Sequence, residues 1–342
     1  MDIIGHDWAA KLLQSHIAQA QTRHAYLLTG PPNAGKSTLA IRFAQALNCE
    51  QPPHPGGHCG ECSICKRILE GTFPDLHIVQ SAAHERTIKV GQIRDLQHTL
   101  SLTPYEGRFR VALLQRFHEA TEQASNALLK TLEEPPEKVI LMLTATSAEV
   151  LLPTIVSRCE HLQLRQMALI DLETALLERG EDKEQAHFIA RLAAGRPGMA
   201  IRMLEDPTTL ETRATHMNEF AELLRANRGD RFSFVEGWEG ALRRKFDKLG
   251  DRRTESIRVL ELWLGLLHDA MHLAYDVGTP ISNPDQSAAI EAVVKSRAPS
   301  EIVDGVKALR RTIEAISANA NLRLALETLM LDLPSLTLEE QT

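Results

Sequence analysis

Three observations predict an α/β domain with a parallel sheet, followed by a remainder built only of helices. A Gly-rich loop, Gly30-Pro31-Pro32-Asn33-Ala34-Gly35-Lys36-Ser37-Thr38, follows a short apolar run and precedes residues apolar at helical spacing. Strand-like and helix-like segments then alternate as far as about residue 165. From about Met167 the strand signals stop.

The elements follow in order. Trp8, Leu12, Leu13, Ile17 and Ala20 recur at helical spacing over residues 7 to 21. Ala25-Tyr26-Leu27-Leu28 reads as the first strand, and the loop after it fits G-x-x-x-x-G-K-[ST]. That pattern binds phosphate: its glycines let successive backbone N–H groups converge on an anion, Lys36 reaches the β/γ-phosphates and the Ser37 hydroxyl can ligate Mg²⁺. Leu39, Ala40, Phe43, Ala44 and Leu47 place a helix behind the loop, and its N-terminal dipole favours phosphate. All nine loop residues, Gly30 to Thr38, are nucleotide-binding candidates.

Four of the five cysteines follow, as Cys49-x9-Cys59-x2-Cys62-x2-Cys65. Such clustering in a chain without secretory signals points to four thiolates closing a structural zinc site rather than to disulfides. Gly56, Gly57 and Gly60 supply tight turns, while His54 and His58, near enough to compete as ligands, are read as solvated loop residues.

Asp75 to Val79 reads as the second strand, Val90, Ile93, Leu96 and Leu100 as an amphipathic helix, and Pro104 to Gly107 as a turn into a third strand, Arg110 to Leu114. A helix from Ala124 to Glu134 is stopped by Pro135-Pro136. A fourth strand spans Val139 to Leu143, and a fifth, His161 to Leu164, follows a short helix. A nucleotide belongs at the carboxyl ends of such strands. Beyond them, short helices are interrupted at Gly195-Arg196-Pro197-Gly198, and Asp206 to Leu331 reads as all-helical with a break at Val277 to Asp285. No repeat of 20 to 50 residues is present.

At 43% apolar and 24% charged residues, the 342-residue chain has an ordinary globular composition. A net charge of -7 gives no general attraction to nucleic acid. The basic cluster Arg243, Arg244, Lys245, Lys248, Arg252 and Arg253 is interspersed with acidic residues and reads as a solvated helix face in preference to a phosphate-contacting patch. The N-terminus lacks the n- and h-regions of a signal peptide, and the apolar stretch Val259 to Leu267 is too short to span a bilayer, so a cytoplasmic protein without membrane association is expected.

ATP-hydrolysing P-loop proteins end a strand with an acidic residue that holds Mg²⁺, and a second acidic group orients water. Here Gln115 and Arg116 follow the third strand, so weak or absent hydrolysis is expected, with Glu119 the nearest substitute.

Together, Gly30 to Thr38, the four cysteines, Asn126-Ala127-Leu128-Leu129-Lys130-Thr131-Leu132-Glu133-Glu134-Pro135-Pro136 and Leu152-Pro153-Thr154-Ile155-Val156-Ser157-Arg158-Cys159 resemble the subunits of the bacterial replication clamp loader, an AAA+ assembly of DNA polymerase III. The resemblance is strong to about residue 165, fair to about 205 and weak beyond. It implies an AAA+ nucleotide domain over 1–166 with an inserted zinc module at 49–65, a helical lid over 167–205, and a helical collar domain over 206–342. It implies that Arg158 acts as an arginine finger on ATP held by a neighbouring subunit. Within the family, the missing acidic pair and Gly195-Arg196-Pro197-Gly198 look more like the delta-prime (stator) group than the tau or gamma motors, although the P-loop, damaged in many delta-prime members, is intact here. Arg196 is two positions from the lid sensor Arg of the motors and is read as solvated or helix-capping, and the other nucleotide sensor is Thr144 or Thr146. The implied role is to bind ATP or ADP, with Mg²⁺ possible and little hydrolysis, inside a hetero-pentamer with tau/gamma and delta subunits that loads the sliding clamp on primed DNA. The alternative is an active tau/gamma-type motor. Leu260, Trp263, Leu264 and Leu267 are expected in the collar core in preference to its subunit contacts.

Overall fold

The computed structural model describes residues 3–81 and 87–336. In chain order its regular elements are α1 (Asp7–Ala18), β1 (Ala25–Thr29), α2 (Lys36–Asn48), α3 (Ser63–Glu70), β2 (Leu76–Val79), α4 (Val90–Leu100), β3 (Arg110–Leu114), α5 (Glu122–Glu133), β4 (Val139–Ala145), α6 (Pro153–Val156) and β5 (Glu160–Gln163). Only helices follow: α7 (Leu169–Glu178), α8 (Lys183–Ala193), α9 (Pro197–Glu205), α10 (Pro207–Arg225), α11 (Arg228–Lys245), α12 (Leu249–Ala274), α13 (Ser287–Ser296), α14 (Pro299–Ser317) and α15 (Leu322–Asp332). Short 3-10 turns lie at Phe117–Glu119 and Pro284–Gln286.

The five strands form the predicted parallel sheet, in the order β2-β3-β4-β1-β5. Its two faces are both covered, and the period of two is explicit. Tyr26, Leu28, Val111, Leu113, Ile140 and Met142 pack on one side with residues of α1, α2 and α3. Ala25, Leu27, Ala112, Leu114, Leu141 and Leu143 pack on the other with residues of α4, α5 and α6. This accounts for strands that read as continuous apolar runs, with β1, β3 and β4 buried throughout.

Differences from the sequence reading are local. The first helix ends at Ala18, and Ala20, expected within it, instead adopts φ 54° in the turn to β1. The α5 helix begins two residues early because Thr121 caps it, accepting from the Ala124 N–H at 3.2 Å. An unpredicted helix, α3, carries the last cysteine of the cluster. The 195–198 break contains the start of α9, with Pro197 at its first position. Thr144, expected after the fourth strand, lies within it.

The loop before β3 is held by a buried ion pair. The Asp75 carboxylate accepts N–H bonds from Tyr105, Glu106 and Gly107 at 2.8 Å each and binds the Arg110 guanidinium at 3.0 Å. Arg110 donates further to the Thr99, Leu102 and Thr103 carbonyls. Burial pushes the Asp75 carboxyl upward, but the three N–H donors and Arg110 outweigh it and hold it below the ordinary carboxylate range.

The chain divides into two compact units. The first runs to Asp182 and includes Gly195–Met199; the second comprises Lys183–Ala194 and the chain from Ala200 onward. In the second unit Trp263 stacks on Phe220, centroids 4.8 Å apart and planes 9° apart, and donates its indole N–H to the His216 carbonyl. Leu260, Trp263 and Leu267 are fully buried, with Leu264 packed against the same core. Buried Arg231 donates to the carbonyls of Leu223, Leu224, Met330, Leu333 and Pro334, satisfying helix ends that would otherwise be orphaned. Much of the basic cluster is tied internally: Arg243 to Glu239, Lys245 to Glu255, and Arg253 to Asn319 and Ala320. No helix among the described residues is long and apolar enough to cross a membrane.

Candidate functional site

The phosphate loop leaves β1 at the carboxyl end of the sheet, where β1 sits between β4 and β5. Two glycines are required by the path. Gly30 has φ 147°, and a Cβ there would lie 2.1 Å from the Leu164 carbonyl oxygen; Gly35, the residue before α2, has φ 93°. The Gly30 N–H is shared between the Ala145 and Thr146 carbonyls, which pins the loop to the end of β4. His6 Nε2 lies 3.1 Å from the Ala34 carbonyl, which ties the N-terminal segment to the same loop.

Lys36 folds over this loop, donating to the Gly30 carbonyl at 2.6 Å and the Pro31 carbonyl at 2.7 Å. Burial pulls its ammonium down to about 8. Lys36, the first-turn N–H groups of α2 and the Ser37 hydroxyl are the groups that could hold a polyphosphate here.

Beside the loop lies a cleft of about 620 Å³ lined by residues that include Ile3, Gly5, His6, Met167, Asp171 and Thr174. Ile3 also lies against Gly35, its Cδ1 3.7 Å from where a Gly35 Cβ would be. The cleft is not legible in the sequence, because its walls come from two distant segments, Ile3 to Asp7 and Met167 to Arg179, that no local pattern joins. Nor is a second contact legible there. Gly198 donates its N–H to the Asn33 carbonyl at 2.9 Å, and a Cβ on Gly198 would stand 2.8 Å from that oxygen. The neighbouring Gly195, at φ 68°, accepts from the Met167 N–H at 2.9 Å. The Gly195–Met199 segment therefore closes directly on the phosphate loop.

After β3, Gln115 and Arg116 occupy the corner where hydrolysing enzymes place carboxylates. Arg116 has φ 49°, and its N–H donates to the Thr144 hydroxyl at 2.9 Å. Thr144 is buried and thus engaged with this corner, whereas Thr146 is exposed and offers its carbonyl to the loop. Glu119 lies on the 3-10 turn, paired with Arg116 at 3.1 Å and accepting from the Ser81 hydroxyl. Half-buried His118, on the same turn, is pushed down first by burial and further by the charges of Arg116 and Lys36.

The four cysteines converge as predicted. Their sulfurs all lie within 4.8 Å of one another, Cys49 and Cys59 at 3.5 Å and Cys59 and Cys65 at 4.0 Å. A tetrahedron with metal–sulfur bonds of about 2.3 Å has edges of about 3.8 Å, so the set fits zinc. The Cys59, Cys62 and Cys65 N–H groups donate to the sulfurs of Cys49, Cys59 and Cys62 at 3.3, 3.3 and 3.4 Å. Donation from the Cys62 and Glu61 N–H groups draws the Cys59 thiol down to about 6. His54 and His58 are outside the set.

Arg158 follows α6 and is half-exposed. Its guanidinium donates to the Thr154 carbonyl at 2.9 Å and to Glu133 Oε1 at 2.7 Å. Burial raises the adjacent Cys159 thiol to about 12, in keeping with an unreactive thiol.

The family model described as "DNA polymerase III, delta subunit" matches residues 5–168. The delta' subunit of Bacillus subtilis is 31% identical over 66% of this chain and 67% of its own length. The delta' subunit of Pseudomonas aeruginosa is 40% identical over 45% of this chain and 47% of its own, and the tau subunit of Bacillus subtilis 32% identical over 60% and 37%. The chain therefore spans about half or less of the last two relatives. On these matches, together with the loop, the cysteine cluster and the sheet order, the chain belongs to the family of DNA polymerase III clamp-loader subunits and is related to delta-prime.

Proposed function

We propose that the chain is a delta-prime-like clamp-loader subunit that binds ATP or ADP as a structural ligand, hydrolyses it little or not at all, and lends Arg158 to the ATP site of a neighbouring subunit. The observation that carries this reading is the corner after β3. The phosphate loop with Lys36 is intact, but the residues that follow β3 are neutral Gln115 and cationic Arg116, so of the expected Mg²⁺ ligands only the Ser37 hydroxyl is present. Glu119, the nearest carboxylate, is already committed to Arg116 and Ser81. Zinc on the four cysteines is structural, since four protein sulfurs leave no open position for substrate.

The partners in this reading are tau/gamma and delta subunits in a hetero-pentamer, with residues 206–342 as the collar, 167–205 as the lid, and the sliding clamp and primed DNA reached through the complex. Arg158 supports it by lying at the surface with its one carboxylate partner, Glu133, itself exposed, so that a phosphate on another chain can compete for the guanidinium. The second reading, an active tau/gamma-type motor, is favoured by the complete phosphate loop alone.

Equilibrium binding of ATP with Mg²⁺ and steady-state phosphate release by the purified chain separate the two. Tight binding without release above background supports the stator role. Turnover that vanishes in Lys36→Ala overturns it.

A further inference from the structure

The guanidinium of Arg158 is held by two groups of its own chain, and one of them is an acid. Glu133 is the last residue of α5, fixed there because Glu134 leaves the helical conformation and Pro135-Pro136 cannot continue it. Its Oε1 accepts from one Arg158 terminal nitrogen at 2.7 Å, while the other donates to the Thr154 carbonyl at 2.9 Å. The two side chains remain 35% and 52% exposed. Two anchors at fixed places define one orientation for a long side chain that would otherwise sample many rotamers, and they use two of the five donors of the fork.

We propose that Glu133 is a positioning residue for Arg158: it holds the guanidinium in one orientation at the protein surface, ready for an anionic phosphate on another chain. The inference rests on the reading of Arg158 as acting in trans. An ion pair this exposed shifts an equilibrium by about fivefold or less, so a polyphosphate displaces the carboxylate readily. The effect of Glu133 is thus on how often Arg158 is correctly placed, and it belongs in kcat of the neighbour's site and not in its KM.

The test is steady-state ATP hydrolysis by the complex reconstituted from this chain with tau/gamma and delta subunits, together with the melting temperature of each variant chain. With Arg158→Ala, kcat is expected to fall at least about 100-fold. With Glu133→Ala it is expected to fall about 2- to 5-fold with KM and melting temperature unchanged, and to add nothing in the Arg158→Ala background. Glu133→Gln, which keeps an acceptor oxygen, should recover part of the loss. A Glu133→Ala complex with wild-type kcat, or an effect that adds fully to that of Arg158→Ala, overturns the positioning role while leaving the trans reading standing. No loss on Arg158→Ala overturns both.

Discussion

Gln45 donates from Nε2 to the Cys65 carbonyl at 2.7 Å, and both residues are buried. The bond joins the helix that begins at the phosphate loop to the knuckle that ends it. Asn48 adds a bond to the Phe109 N–H at 2.9 Å, Arg108 binds the Cys49 carbonyl at 2.5 Å, and Gly56 approaches α1 so closely that a Cβ would lie 2.3 Å from the Gln14 carbonyl oxygen. Removing the metal should therefore loosen α1, the end of α2 and the start of β3 together. Dialysis against a strong chelator, or Cys62→Ser, is expected to lower stability by roughly 3 kcal/mol and the melting temperature by about 10 °C. Thermal unfolding with metal quantified in parallel checks this, and an unchanged melting temperature in metal-free protein would refute it.

Lys36 gives nucleotide binding a pH dependence. Burial holds its ammonium at about 8, so the free protein loses this charge as pH rises through 8, whereas a bound polyphosphate stabilises the charged form. Binding takes up a proton above that pH, and affinity should fall by up to about tenfold per pH unit there while staying level near pH 7. Lys36→Arg, if it binds, should abolish the dependence. Titration calorimetry between pH 7 and 9.5 in buffers of differing ionisation enthalpy measures both quantities.

Gly198 lies against the phosphate loop without a left-handed φ, so steric fit alone excludes a larger residue. Gly198→Ala places a methyl 2.8 Å from the Asn33 oxygen and should displace the loop or the segment, weakening nucleotide binding by about 1–3 kcal/mol. Equal affinities for variant and wild type would mean the segment moves without consequence for the loop.

Asp75 should dominate the acid limb of stability in the first unit. Its folded pKa lies below the unfolded value, so its contribution is present above about pH 4 and is lost as pH falls through the folded value. Asp75→Ala leaves Arg110 buried without its partner and is expected to destabilise by about 3–5 kcal/mol at neutral pH. Chemical denaturation at pH 7 and pH 3 compares the two, and the difference between variant and wild type should narrow at the lower pH.

The amino-acid sequence by itself determined the parallel sheet, the phosphate loop and the cysteine cluster, because each is written in residues close together: a period, a spacing or a turn. It also set the charge at Gln115 and Arg116, on which the proposed loss of hydrolysis turns. Helix ends were legible only approximately, as Ala20 shows, since the left-handed turn there answers to the path into β1. Tertiary structure alone decided the rest. The cleft between Ile3 and Met167, the closure of Gly198 on Asn33, the commitment of Glu119 to Ser81 and the capture of Arg158 by Glu133 all join residues distant in sequence. Their partners are chosen by where the sheet and helices bring the backbone, and no local pattern of residue types encodes that meeting.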